Sequence, residues 1–150
     1  MGARGELWVV LQGVLLLVYA VAPWSEPAWT NSAMTAAVGW GFALAGGVLF
    51  ACSVLNLGRS LTPLPRPLRD GRLVTQGAYA LVRHPIYSAV ILGTAGYGLV
   101  TENWLRLAIT VVLFIFFDLK ARAEERWLLE QYPEYATYKT RVKKLVPWIY

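Results

Sequence analysis

The chain has 150 residues, of which 57% are hydrophobic and only 15% charged, with a formal net charge of +5 and a mean hydropathy of +0.46. A soluble domain is about 45–50% apolar and about 25% charged, and at this length it leaves much of its surface in water. The apolar surplus therefore excludes an ordinary soluble fold, as well as disorder and collagen. A lone cysteine, Cys52, excludes a disulfide scaffold. The expected class is all-α integral membrane, in a single domain over 1–150.

Four apolar segments are expected to cross the bilayer, at about 7–23, 33–57, 86–101 and 104–118. A crossing helix needs about 20 residues, which the second segment exceeds and the first falls slightly short of. Glu102-Asn103 separates the third from the fourth. One continuous helix there would bury Glu102 and Arg106 at mid-membrane, which is costly. A tight hairpin with both charges near a surface is expected instead. The first segment has a rival reading, because Arg4 precedes an apolar stretch ending Ala20-Val21-Ala22, in the form of a signal-peptidase site. Glu6 weakens the positive start and Pro23 hinders cleavage, so a retained span is expected.

Loop charge gives the orientation. Trp24 to Ser32 carries no Lys or Arg, whereas the loop 58–85 carries Arg59, Arg66, Arg69, Arg72 and Arg83. The segment 119–150 carries Lys120, Arg122, Arg126, Lys139, Arg141, Lys143 and Lys144. By the positive-inside rule both basic segments face the cytoplasm, with both termini inside. The basic residues thus read as orientation and lipid-headgroup contact, and no nucleic-acid partner is expected. Gly39, Gly41, Ala45, Gly46 and Gly47 in the second span and Gly93, Ala95, Gly96 and Gly98 in the third read as close helix packing.

The cytoplasmic parts carry the chemistry. Leu61 to Leu68 holds three prolines and should run extended, while Asp70-Gly71 and Gly77 read as turns. Arg83-His84-Pro85-Ile86-Tyr87 opens the third span with proline at a favourable first helical position. The free N–H groups of that terminus, with Arg83 and His84, would form an anion site. Nothing breaks a helix from Leu105 to Leu129, so the fourth span should extend into the cytoplasm until Pro133. On that extension Lys120 and Glu124 share a face, as do Arg122 and Arg126, and Glu125 lies beside Arg122. Beyond it, Tyr135, Tyr138, Val142 and Leu145 form one stripe of a C-terminal amphipathic helix, suited to the membrane surface or to a lid folded over the loop. Singly these features have ordinary explanations: a polar loop histidine, a self-paired helix face, interfacial tyrosines. Converging at one membrane face, they could enclose a zwitterionic ligand.

Leu73-Val-Thr-Gln-Gly-Ala-Tyr79, Arg83-His-Pro-Ile-Tyr87, Glu124-Glu-Arg-Trp-Leu128, Tyr135-Ala-Thr-Tyr138 and Val146-Pro147 resemble the isoprenylcysteine carboxyl methyltransferase family, to which phospholipid N-methyltransferases are related. The match covers the second half of the chain; the first two spans match in hydropathy alone. The resemblance implies an integral membrane enzyme that transfers a methyl group from S-adenosylmethionine to a lipophilic or prenylated acceptor entering from the bilayer, with carboxylate O-methylation foremost. It implies that Leu73, Val74, Tyr79, His84, Pro85, Tyr87 and Glu124 bind the cofactor. Arg83 and Lys120 are then expected as acceptor-side charges. A carboxylate acceptor needs no base, and for an amine or thiol His84, Tyr87 or Glu125 could serve; no metal is expected. Two departures stand out. Lys120 occupies a position where the family has arginine, which removes a bidentate fork, and Tyr132-Pro133-Glu134-Tyr135 replaces an aromatic-glycine junction. Alternatives are a phospholipid or amine N-methyltransferase, a thiol S-methyltransferase, a steroid-reductase-like protein binding a nicotinamide cofactor, and a non-catalytic accessory protein that keeps the pocket.

Overall fold

A computed structural model describes residues 5–23, 33–68 and 70–150. Arg4, Arg69 and the segment Trp24 to Ser32, on which part of the orientation argument rests, lie outside the described residues. Six α-helices follow in order: α1 Glu6–Val21, α2 Ala33–Leu57, α3 Ala78–Leu81, α4 Pro85–Val100, α5 Trp104–Gln131 and α6 Tyr135–Arg141. A 3-10 turn, Gly58–Ser60, ends α2. Among the described residues there is no strand, only a single parallel bridge between Val82 and Lys143.

Of the described helices, α2 is long and apolar enough to cross a bilayer by length and composition. Helices α1 and α4 are apolar but have 16 residues each, about 24 Å at 1.5 Å per residue. Large side chains such as Leu17, Trp40, Leu44, Leu55, Val111 and Ile115 face outward, a continuous apolar exterior that a water-soluble monomer does not present. The interior holds polar and charged groups such as His84, Arg106, Asp118, Lys120 and Glu125 beside an apolar core.

Packing follows the small residues. A Cβ on Gly39 would stand 2.8 Å from the Gly96 carbonyl oxygen, one on Gly46 2.8 Å from that of Ala89, and one on Gly96 2.5 Å from that of Gly39. Helices α2 and α4 therefore touch backbone to backbone, where lipid offers no hydrophobic drive and close contact must supply the attraction. Helix α1 packs on α5 around Tyr19, Ile109, Leu113, Phe116 and Phe117, and the Tyr19 hydroxyl donates to the Thr94 carbonyl at 2.6 Å.

The hairpin between α4 and α5 forms as expected. Glu102 turns the chain with φ 51°, and Asn103 caps α5 by accepting from the Arg106 N–H at 3.1 Å. Arg106 and Glu102, expected near a surface, are both buried among neighbouring side chains; Arg106 donates to the Ala22 carbonyl at 3.2 Å and lies 4.9 Å from the Tyr97 ring centre. Helix α5 runs 28 residues and, as expected, ends just before Pro133.

The C-terminal stripe differs from expectation. Helix α6 stops at Arg141, and Val142 turns extended at φ −113°, ψ 136°, so Leu145 reaches the interior on a strap rather than on a helix face. That strap folds back over α4: Arg83 N–H donates to Lys143 O at 2.8 Å, His84 N–H to Lys144 O at 3.1 Å and the Ser88 hydroxyl to Leu145 O at 2.6 Å. The lid arrangement is the one adopted.

Candidate active site

The proline loop, the turn at Gly77, the start of α4, the extension of α5 and the lid enclose a cavity of about 400 Å³, within the range of about 300–1,000 Å³ of small-molecule sites. Three prolines keep residues 61–68 out of a helix, so Pro63, Pro65 and Pro67 form a stiff wall. Gly77 holds φ 62° against the Asn56 side chain, whose oxygen accepts the Ala78 N–H at 2.8 Å. A side chain there would break both the conformation and the contact. This turn sets Tyr79 into the cavity.

Leu73, Val74, Tyr79, Arg83, His84, Pro85, Tyr87, Lys120 and Glu124 all line this one cavity; Glu125 does not. The two adjacent glutamates occupy opposite circumstances. The Glu124 carboxylate accepts the Tyr87 hydroxyl at 2.6 Å and lies 3.7 Å from His84 Nδ1. Glu125 is 2% exposed and is gripped by Arg83 Nε at 2.8 Å, Lys139 Nζ at 2.8 Å and His84 Nε2 at 3.2 Å. Burial alone would raise its pKa, but the hydrogen bonds from His84, Lys139 and Arg83 hold it well below the usual carboxylate range. Because a carboxylate only accepts, His84 Nε2 donates to Glu125, while Nδ1 faces the Glu124 carboxylate. His84 stacks on Tyr87 with ring centres 5.3 Å apart, and Tyr87 on Phe117 at 4.7 Å, which fixes these rings.

Four expectations are corrected. Arg83 spends its guanidinium on Glu125 and on the Lys139 and Val142 carbonyls, so it braces the strap and is no free acceptor-side charge. Glu125, locked and strongly acidic, is unsuited to act as a base. It also does not sit with Arg122, which pairs with Asp118 at 2.8 Å. Four N–H groups around the start of α4 are taken: strap carbonyls accept those of Arg83 and His84, and the His84 carbonyl accepts those of Tyr87 and Ser88 at 3.1 Å.

Three further contributors complete the cavity: Tyr135, which the sequence places in the lid stripe, and Gln12 and an apolar arm, which it does not single out. Tyr135 is 1% exposed, lines the cavity, and its hydroxyl has no hydrogen-bond partner among the described residues. Burial pushes Tyr79, Tyr135 and Tyr138 well above the usual phenol range, so all three are protonated donors. Gln12 from α1 lines the cavity and accepts from Lys120 Nζ at 2.5 Å; the one amide in segment 7–23 was its only signal. Finally, Val9 of α1 with Phe50, Val54 and Leu57 of α2 extends the cavity into an apolar arm.

The described residues thus form an all-helical membrane fold with a cavity lined by both polar and apolar side chains and bordered by α6. The profile of the phospholipid methyltransferase family matches residues 34–135, and the chain belongs to that family. Among its relatives, the cobalt-zinc-cadmium resistance protein CzcN of Cupriavidus metallidurans is 40% identical over 83 residues, which is 53% of this chain and 37% of that protein. Protein-S-isoprenylcysteine O-methyltransferase B of Arabidopsis thaliana is 32% identical over 108 residues, 69% of this chain and 55% of that protein. A solved structure of the eukaryotic intramembrane Ras methyltransferase ICMT superposes with a TM-score of 0.74 at 24% identity, covering 99% of this chain and 55% of that one; the likeness is one of fold. The chain thus spans between about a third and two thirds of the length of the curated relatives it matches first, from 37% to 64%.

Proposed function

We propose that the protein is an integral membrane S-adenosylmethionine-dependent methyltransferase acting on a lipophilic acceptor, with a carboxylate as the foremost methyl-accepting group. The carrying observation is that a carboxylate-lined, lid-covered polar pocket and an apolar arm between α1 and α2 are one cavity. Four spans with both termini in the cytoplasm accompany this reading, so that the polar end faces the cytosol and the apolar arm the bilayer.

The residues present fit such a cofactor. The orphaned Tyr135 hydroxyl offers a donor without a protein partner, Glu124 offers a carboxylate for an ammonium, and Leu73, Val74 and Pro85 offer apolar walls for a ring. Bound S-adenosylmethionine would supply an electrophilic methyl group on a positively charged sulfur. The chain's own work is positioning and exclusion of water. Tyr87 holds the Glu124 carboxylate, His84 is held by Glu125, and Tyr135 and Tyr138 of α6 cover the polar end. Lys120, whose Nζ stands 5.1 Å from the Tyr87 ring centre, provides the acceptor-side charge.

A second reading, transfer to a thiol or amine, draws on Lys120 as well. Burial lowers its pKa, partly offset by Glu124, so that it could take a proton from such an acceptor. Transfer of radiolabel from methyl-labelled S-adenosylmethionine tests both readings, with N-acetyl-S-farnesylcysteine, phosphatidylethanolamine and an alkanethiol offered in parallel. Base-labile label on the prenylcysteine alone supports O-methylation; label on the thiol or amine alone moves the function to the second reading. No label on any acceptor, with the cofactor bound, contradicts the enzymatic reading.

A further inference from the structure

We infer that Gln12 and Lys120 together form a head-group subsite for the acceptor, a two-donor set selective for a carboxylate or similar oxyanion. This rests on the reading that an acceptor occupies the apolar arm. Lys120 is 2% exposed, and its ammonium forms no ion pair among the described residues; its hydrogen-bond partner is the Gln12 amide oxygen at 2.5 Å. A buried ammonium without an anion is costly. Glu124, the nearest acidic group acting on it, is hydrogen-bonded to Tyr87 instead.

The amide orientation follows from chemistry. An ammonium has no acceptor capacity, so the oxygen of Gln12 must face it and the NH₂ must point elsewhere. Among the described residues that NH₂ has no hydrogen-bond acceptor. Gln12 lies one helical turn from Val9, in the apolar arm, while Lys120 lies over the Tyr87 ring beside the carboxylate cluster. The same cavity is therefore lined by the Lys120 ammonium from α5 and the Gln12 amide from α1, in contact through the amide oxygen. An oxyanion entering tail-first into the arm meets both donors and supplies the missing negative charge. A protonated amine would meet a like charge, and a thiol or amide would leave the ammonium uncompensated. Gln12 thus provides the second donor that a lysine, unlike an arginine fork, does not provide alone.

The test compares binding of N-acetyl-S-farnesylcysteine with that of its carboxamide, which share a tail and differ in charge. Wild type, Gln12→Leu and Gln12→Glu are measured in detergent, with S-adenosylhomocysteine binding followed in the same samples. Wild type should prefer the acid by about tenfold or more. Gln12→Leu should cut that preference severalfold. Gln12→Glu, which keeps the side-chain length and the bond to Lys120, should abolish it by adding a competing carboxylate. S-adenosylhomocysteine affinity should be unchanged in both. Equal binding of acid and carboxamide by wild type, or an unaltered preference in Gln12→Glu, would overturn the proposal. Failure of S-adenosylhomocysteine to bind wild type, with the acid preference intact, would instead remove the cofactor reading and leave this subsite standing.

Discussion

Glu124 and Glu125 are chemically identical neighbours that the fold divides into a ligand-facing group and a locked strut. Glu125 ionises below its normal range because Arg83, His84 and Lys139 converge on it. Its folded pKa is depressed, so the stability it contributes is whole above the unfolded carboxylate value of about 4.3 and is lost as pH falls below that toward the folded value. Thermal unfolding in detergent between pH 8 and pH 3 should show a falling midpoint below about pH 5, and Glu125→Gln should flatten that dependence while lowering the midpoint at pH 7. Tyr135 makes the opposite kind of prediction. Its hydroxyl is buried without a partner among the described residues, a cost of about 1–3 kcal/mol in the ligand-free protein. Tyr135→Phe should leave the ligand-free melting temperature equal or higher, yet weaken S-adenosylhomocysteine binding about tenfold by loss of a hydrogen bond. A drop in both quantities would make Tyr135 a structural residue.

At the scale of elements, two contacts decide whether the site exists. The first is the glycine seam between α2 and α4. Gly96→Ala would push a Cβ to 2.5 Å from the Gly39 carbonyl, and such overpacking typically costs about 1–3 kcal/mol. Gly47→Ala meets nothing within 4 Å and should be neutral or slightly stabilising through helix propensity; equal effects of the two on the unfolding midpoint would contradict the packing. The second is the strap. Arg83 ties Glu125 of α5 to the carbonyls of Lys139 and Val142, and Lys144 ties it to Asp118 at 2.6 Å. Arg83→Ala should expose residues 132–150 to limited proteolysis and weaken cofactor binding together. Weakened binding without increased cleavage would return Arg83 to a direct ligand contact. The long helices α1, α2, α4 and α5 were legible from sequence because hydropathy and Pro133 mark their extents, whereas the short α3 and the strap were not. Tyr135, Tyr138 and Leu145 are buried as a helical stripe would be, but Leu145 gets there through extended backbone paired with Arg83 and His84, a long-range pairing that no local periodicity encodes.

For the molecule as a whole, the apolar exterior of the helices was readable from composition, because lipid favours apolar side chains at its boundary. The site was readable where its residues cluster in two stretches, 73–87 and 120–138. It was not readable where a distant helix completes it: Gln12 acquires its meaning only beside Lys120, 108 positions away. The fold thereby couples a carboxylate-lined, lidded pocket to an arm between α1 and α2, and the central claim is that the pocket end binds S-adenosylmethionine. Calorimetric titration of S-adenosylmethionine and S-adenosylhomocysteine into detergent-purified protein, with His84→Ala and Glu124→Ala alongside, tests it directly. The account predicts micromolar binding by wild type and loss of about tenfold or more in each variant. No binding by folded wild type, or binding untouched by both substitutions, would contradict it.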